Sequence, residues 1–278
     1  MAIIGIGLAL ISALVWGSGD FTGGLAARRS SQYQVVALSA FPGLAILLLA
    51  AVVWRESFPS LPGILFSALG GAGGALGIAA LYRALSLGHN ASVAPTAAVI
   101  GAALPVVSNA LIEGPPGTLK LIGFGVALLG ICLVSLPSGP AGKISRQGFL
   151  LACLAGVGFG CFFIFLGQVE QGKIFTPLIV ARTFTLLVGI LLVKWNRLPL
   201  PFLRSNGLAL LAGILDAGGN LFYILAKQYT RLDIAAVISS LYPASTVLLA
   251  GIILKERISP VQRLGVLVCL LAIAMITV

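Results

Sequence analysis

Ten apolar runs fill the chain, each close to the roughly 20 residues a helix needs to cross the hydrocarbon core of a bilayer. They lie near 3–27, 32–54, 61–86, 90–112 and 118–136, then near 147–169, 174–194, 205–228, 233–254 and 260–278. Such runs leave the backbone little choice. Lipid offers no water to N–H and C=O groups, so a spanning segment is a helix or belongs to a closed barrel. Barrel strands run about ten residues with alternating polarity. These runs are far longer and apolar throughout, so the expected fold is an all-α integral membrane protein with ten transmembrane helices. Composition agrees: 59% of residues are hydrophobic and 9% charged, against roughly 45–50% and about 25% in soluble domains. Ten spans and short connections use up the 278 residues, with no room for a separate soluble domain. The start, Met1-Ala-Ile-Ile-Gly, lacks a basic leader and a small-residue cleavage site, and is read as the first span.

A net charge of +10 could point to nucleic acid. The basic residues, however, stand singly or in pairs at helix ends, where they anchor spans. The expected partners are the lipid bilayer and a small-molecule substrate, with no nucleic acid, in a monomer or homodimer. Cys132, Cys153, Cys161 and Cys269 all fall inside apolar runs without a CxxC pair, and His89 is the one histidine. Neither a metal site nor a disulfide framework is expected, and no cofactor.

The longest polar break, residues 137–146, falls at mid-chain and divides the membrane domain into repeats at 1–139 and 140–278. Gly7, Gly17 and Gly19 recur 141 residues later as Gly148, Gly158 and Gly160, and Tyr82 recurs as Tyr223. Ala84, Ala94, Gly123, Leu128 and Leu129 recur at an offset of 142, and Glu113 matches Glu256 at 143. Single matches between Gly/Ala/Leu-rich segments mean little; an ordered series with a drift of two residues means a duplication. Five spans is an odd number, so the second half enters the membrane upside down. Inverted repeats are an architecture of secondary transporters, with the site at the midplane between halves.

Three segments carry a family resemblance: Trp16-Gly17-Ser18-Gly19-Asp20-Phe21, Leu81-Tyr82-Arg83-Ala84-Leu85-Ser86-Leu87-Gly88, and Leu254-Lys255-Glu256-Arg257-Ile258-Ser259 ahead of Gly265. In order and spacing the chain resembles the drug/metabolite transporter superfamily, in its ten-helix EamA-type branch. That family ends its fourth and ninth helices on a Gly-Glu-Arg-like turn; here the first copy departs, reading Glu113-Gly114-Pro115-Pro116-Gly117. The resemblance covers essentially the whole chain. It implies a ten-helix inverted-repeat fold and transport by alternating access, and leaves the substrate open.

Of the seven acids, Glu56, Glu113, Glu170, Asp233 and Glu256 sit at helix ends or loops and read as interfacial. Asp20 and Asp216 lie within spans, where a charge costs about 2.5–3.5 kcal/mol on insertion scales and faces the bundle interior or a wet cavity. Asp216 is twelve residues from Arg204 and eleven from Lys227, which places it near the midplane at about 1.5 Å per residue. Arg182 counts to a similar depth, so an ion pair between them would relieve both charges. That pair could be purely structural. Asp20 lies about 12 Å inside the membrane, next to a stripe of Ser12, Trp16, Gly19 and Gly23. Tight packing through Gly19 and Gly23 explains the glycines, but not an aspartate. In the second half Asp20 aligns with Cys161, and Asp216 aligns with Gly74 of the first. A duplicated scaffold with unduplicated acids points to function. The expected substrate- or proton-binding residues are therefore Asp20, Trp16, Asp216, Asn220, Tyr223, Arg182, Tyr242 and Asn109, with spans 1, 3, 4, 6, 8 and 9 around a central cavity. Spans 5 and 10, nearly all apolar, are expected at the periphery or at a dimer contact.

The function expected is a secondary active transporter in the cytoplasmic membrane, crossing it many times, for a small polar or amine-bearing metabolite or drug, driven by protons or exchange. A lipid-linked-sugar flippase is the alternative. A membrane enzyme lacks the clustered acids, histidines or metal ligands it would need; a passive channel is distinguished by labelled-substrate counterflow. Walker motifs are absent.

Loops on the side away from the termini hold Arg28, Arg29, Lys143, Arg146, Lys194, Arg197, Arg204, Lys255, Arg257 and Arg263, with Arg83 nearby; the other side holds Arg55, Lys120, Lys173, Lys227 and Arg231. Basic loops stay in the cytoplasm, so both termini are expected outside. A reporter that is active only in the cytoplasm, fused to the C-terminus, should be silent; activity would reverse the assignment.

Overall fold

A computed structural model describes residues 2–86, 90–136, 145–202, 206–255 and 258–277, and in it every regular element among these residues is an α-helix. His89, Lys143, Arg204, Glu256, Arg257, most of the mid-chain break and the side chain of Tyr82 lie outside the described residues. The helices are α1 (Ala2–Ala27), α2 (Gln32–Val53), α3 (Leu61–Ser86), α4 (Asn90–Ile112), α5 (Thr118–Ser135), α6 (Arg146–Gly167), α7 (Phe175–Trp195), α8 (Gly207–Tyr229), α9 (Leu232–Ser239), α10 (Tyr242–Ile253) and α11 (Pro260–Thr277). They supply ten membrane spans by length and composition, with α9 and α10 together forming the ninth.

Helix starts are where the local chemistry puts them. Ser145 and Asn206 cap α6 and α8 by accepting from Gly148 N–H (3.0 Å) and Ala209 N–H (3.3 Å). Ser259 and Gln262 form a reciprocal capping box at α11, at 3.0 and 3.2 Å. For α7 the cap comes from the other repeat. The Glu56 carboxylate accepts from Ile174 N–H (3.0 Å), Thr176 N–H (2.7 Å) and the Thr176 hydroxyl (2.8 Å), an anion at a helix N-terminus. Beside it Lys173 donates to Ser57, and Ser60 N–H donates to Glu170 at 3.0 Å. Hydrogen bonding by Ser60 holds the Glu170 carboxyl below its ordinary value.

The ninth span corrects the sequence reading of one helix over 233–254. It breaks between Ser239 and Tyr242. Pro243 has no N–H to donate and its ring crowds the carbonyl four residues back. The chain tightens there, with Leu241 N–H on Ile238 O at 3.1 Å, and restarts with the proline in the first turn of α10. Pro42, Pro95 and Pro105, by contrast, sit inside continuous helices.

The two-fold relation between halves is visible in the packing. α1 crosses α8 as α3 crosses α6; α2 packs on α7, and α5 on α11, each with its own counterpart. Backbone turns repeat too. Arg55 and Arg197 both adopt left-handed φ, 51° and 54°, at the ends of α2 and α7. In each turn the two N–H groups that follow bond back in the same pattern, Arg55 to Val52 and Glu56 to Ala51, Arg197 to Lys194 and Leu198 to Val193. Gly114 and Lys255, after α4 and α10, share positive φ as well. The closest helix approaches form a further pair. A Cβ on Gly71 would fall on the backbone of Ala181, and one on Gly213 on the backbone of Ser39. Each member lies 142 residues from its counterpart.

Backbone cannot step aside as a side chain can, so Gly71→Ala and Gly213→Ala should each cost about 1–3 kcal/mol or more through overpacking. A thermal-unfolding series in detergent should show both well below Gly117→Ala, whose Cβ would meet nothing within 4 Å. Equal midpoints for the three would contradict the close crossings.

Candidate functional site

The Gly213 crossing brings α8 against α2, and the Gly71 crossing brings α3 against α7 at Ala181. Arg182 follows Ala181 directly and so projects between these helices. It is 5% exposed, with Gly43 on α2 leaving room beside its Nε. Its Nη2 donates to Gly213 O at 3.2 Å, and its Nη1 forms an ion pair with Asp216, one turn further along α8. The Nε has no hydrogen-bond partner among the described residues. The Asp216 side chain is 40% exposed, because it faces an internal space rather than packed protein.

That space is a cavity of about 300 Å³ between the halves. Two larger depressions, of about 860 and 670 Å³, run along α2/α8 and α3/α6, the first reaching Arg55, Glu56 and Lys173 and the second Arg83 and Asn196. The smaller cavity is the functional candidate because it alone of the three encloses intramembrane acids. It is lined by residues of α1, α3, α4, α6, α7, α8 and the α9–α10 break, which adds α7 to the spans expected from sequence. No residue of α5 or α11 lines it.

Six of the eight residues expected from sequence come together here: Trp16, Asp20, Arg182, Asp216, Asn220 and Tyr242. Asp20 has no hydrogen-bond or ion-pair partner among the described residues, and it is exposed to the cavity. Two carboxyl groups and one guanidinium thus line one cavity, and only Asp216 is paired with the guanidinium among the described residues.

Trp16 sits on the cavity wall in a packed set of rings. Phe162, Phe163 and Tyr242 meet it edge-on at 5.8, 5.6 and 6.4 Å, and Tyr223 stacks behind it at 6.0 Å. Gly219 admits the indole, since a Cβ there would strike the ring. Ser12 ties α1 to the same turn by donating to Gly219 O at 2.8 Å. On α1 and α3 the lining residues run from the midplane toward the basic-loop side, Trp16 to Gly24 and Gly74 to Leu81. The rings therefore form the cavity's floor on the side of the termini.

Two expected site residues are placed elsewhere. Tyr223 is fully buried behind the floor, its hydroxyl donating to Phe163 O at 2.6 Å. The sequence put it on the helix face of Asp216 and Asn220, but that face extends past the cavity into packed protein. Asn109 lies near the end of α4, where its amide sits between Glu113 and Arg231. Asp233, read as interfacial, is fully buried beside Arg231. The sequence reading also missed Thr185, which lines the cavity beside the Gly71 crossing and donates to Ala181 O at 3.1 Å. A single threonine in an apolar helix gives no signal, since its hydroxyl is satisfied within its own turn.

Comparison with known proteins agrees with the fold. The model of the EamA-like transporter family matches residues 3–136 and again residues 146–278. An uncharacterized protein of Methanocaldococcus jannaschii is 26% identical over 131 residues, which make up 47% of this chain and 93% of that protein. A solved crystal structure shares the fold at a TM-score of 0.76 and 18% identity, covering 99% of this chain and 98% of that one. Two tandem matches, one to each five-span half, account for nearly every residue, and the chain belongs to the EamA-like transporter family, membrane transporters of the drug/metabolite type.

Proposed function

We propose that this transporter moves a small polar or amine-bearing metabolite or drug across the cytoplasmic membrane by alternating access, driven by protons or by exchange. The observation that carries the reading is Asp20, a carboxyl group with no hydrogen-bond or ion-pair partner among the described residues, facing a midplane cavity beside the Trp16 ring. An uncompensated charge at that depth is costly, and a cationic group or a proton offsets the cost. An organic cation gains further from the indole face, by about 0.5–2 kcal/mol. The volume of about 300 Å³ suits a compact solute. Asp216 has a different role, since Arg182 already engages it. The pair anchors a polar or carboxylate group of the substrate.

The two acids should separate experimentally. Asp20→Asn should weaken transport of an amine substrate in liposomes by about 10- to 100-fold, the worth of a charge-assisted contact, and flatten its pH dependence. It should leave thermal stability intact or raise it. Asp216→Asn strands the Arg182 guanidinium, so it should lower stability by about 2 kcal/mol, below the fully buried range because Asp216 is 40% exposed. Full, pH-sensitive transport by both variants across a panel of amines, amino acids and cationic drugs would remove the acids from the mechanism.

A further inference from the structure

The side of the bundle that carries both chain ends is closed in layers. The ring cluster is innermost. Next come Tyr223, Leu166 and Leu232, all fully buried and packed so closely that a Cβ on Gly167 would strike Leu232. Outermost is a set of charges centred on Arg231, just before α9. Its Nε and Nη2 donate to the Asp233 carboxylate at 3.0–3.3 Å. Nη2 also donates to Gly114 O at 2.8 Å, and Nη1 lies 3.9 Å from Glu113. The Asn109 amide completes the set: turned so that its oxygen faces Arg231 Nη2 and its nitrogen faces Glu113, it meets them at 3.2 and 3.3 Å. Asn109, Glu113 and Gly114 belong to the first repeat, whereas Arg231 and Asp233 belong to the second.

Opening this side of the cavity requires the end of α4 to part from the start of α9. Among the described residues, the bonds that cross between them converge on one guanidinium. The bonds to Asp233 do not cross, since the two residues are neighbours in one repeat. Asp233 is 0% exposed, and a buried carboxylate stripped of its partner is expensive. Its pairing with Arg231 survives the separation, so no charge is orphaned when the halves part. Hydrogen bonding to Asp233 also raises the Arg231 pKa, so the charge is constant.

We propose that Arg231 is the latch of this gate, a claim that rests on alternating access as read above. Its bonds to Gly114, Glu113 and Asn109 hold the terminus side shut and break in each cycle, while Asp233 keeps the guanidinium paired throughout.

The test uses accessibility rather than transport. In the full chain with its four cysteines replaced, one cysteine is placed at Ser239, which is fully buried and donates to Ala9 O across the repeat boundary at 3.4 Å. A second protein carries Ile78→Cys on the basic-side wall of the cavity. Both are labelled in detergent with a membrane-impermeant maleimide. Arg231→Gln should speed labelling at 239 several-fold and slow it at 78, and Arg231→Lys should restore part of both. Glu113→Gln should shift both the same way by less, because its contact is long. Faster labelling at both positions would mean general loosening and would overturn the latch, as would no change at either. Reciprocal labelling without liposome transport of any panel compound would uphold the latch and overturn the proposed substrate class.

Discussion

The arrangement depends on two places where helix backbones meet with no side chain between them. At Gly71 and Ala181, and again at Gly213 and Ser39, α3 and α8 lie against the second helix of the opposite repeat. Helices in lipid gain little from the hydrophobic effect and associate through close packing of small residues. These contacts fix how the halves cross, and they fix the chemistry too. Arg182 leaves α7 one residue after the first crossing and ends on the carbonyl of the second. Its charge is held where Asp216 can meet it. Scaffold and site are positioned by the same four residues.

Duplication then explains the shape of the cavity but not its charges. Gly74 and Asp216 occupy equivalent positions in the repeats, and both line the cavity. One wall is bare where the other bears a carboxylate. The counterpart of Asp20 is Cys161, which lines the depression along α3 and α6 instead. A symmetric pair of crossings therefore encloses an asymmetric surface.

Much of this was legible in the sequence because membrane helices obey few rules. The length of the apolar runs set the spans, and the odd number of spans per repeat set the inversion. Counting residues from flanking basic positions put Arg182 and Asp216 at one depth, and they form an ion pair. Other features depended on where a helix face goes after it leaves the site. Tyr223 and Asn220 share a face, yet only Asn220 reaches the cavity. Pro243 breaks its helix while Pro95 and Pro105 do not, and nothing in the residues themselves distinguishes the three. Asp233 looked interfacial because it stands beside Arg231 at a helix start; that arginine is what permits it to be buried.

The two kinds of closure on the terminus side suit different tasks. Packed rings and aliphatic side chains exclude water, but the packing has no natural endpoint short of full separation. Charged contacts at the membrane edge are few and directional, and water stands ready to replace them when they break. The Arg182–Asp216 pair lies near the midplane with the Arg182 side chain buried, and breaking it would leave that guanidinium without its ion-pair partner. A carrier that must close and reopen is served by reversible contacts at its rim and a permanent pair at its centre. Arg231 and Arg182, both paired to an aspartate, differ in this respect because one stands at the membrane edge and the other near its midplane.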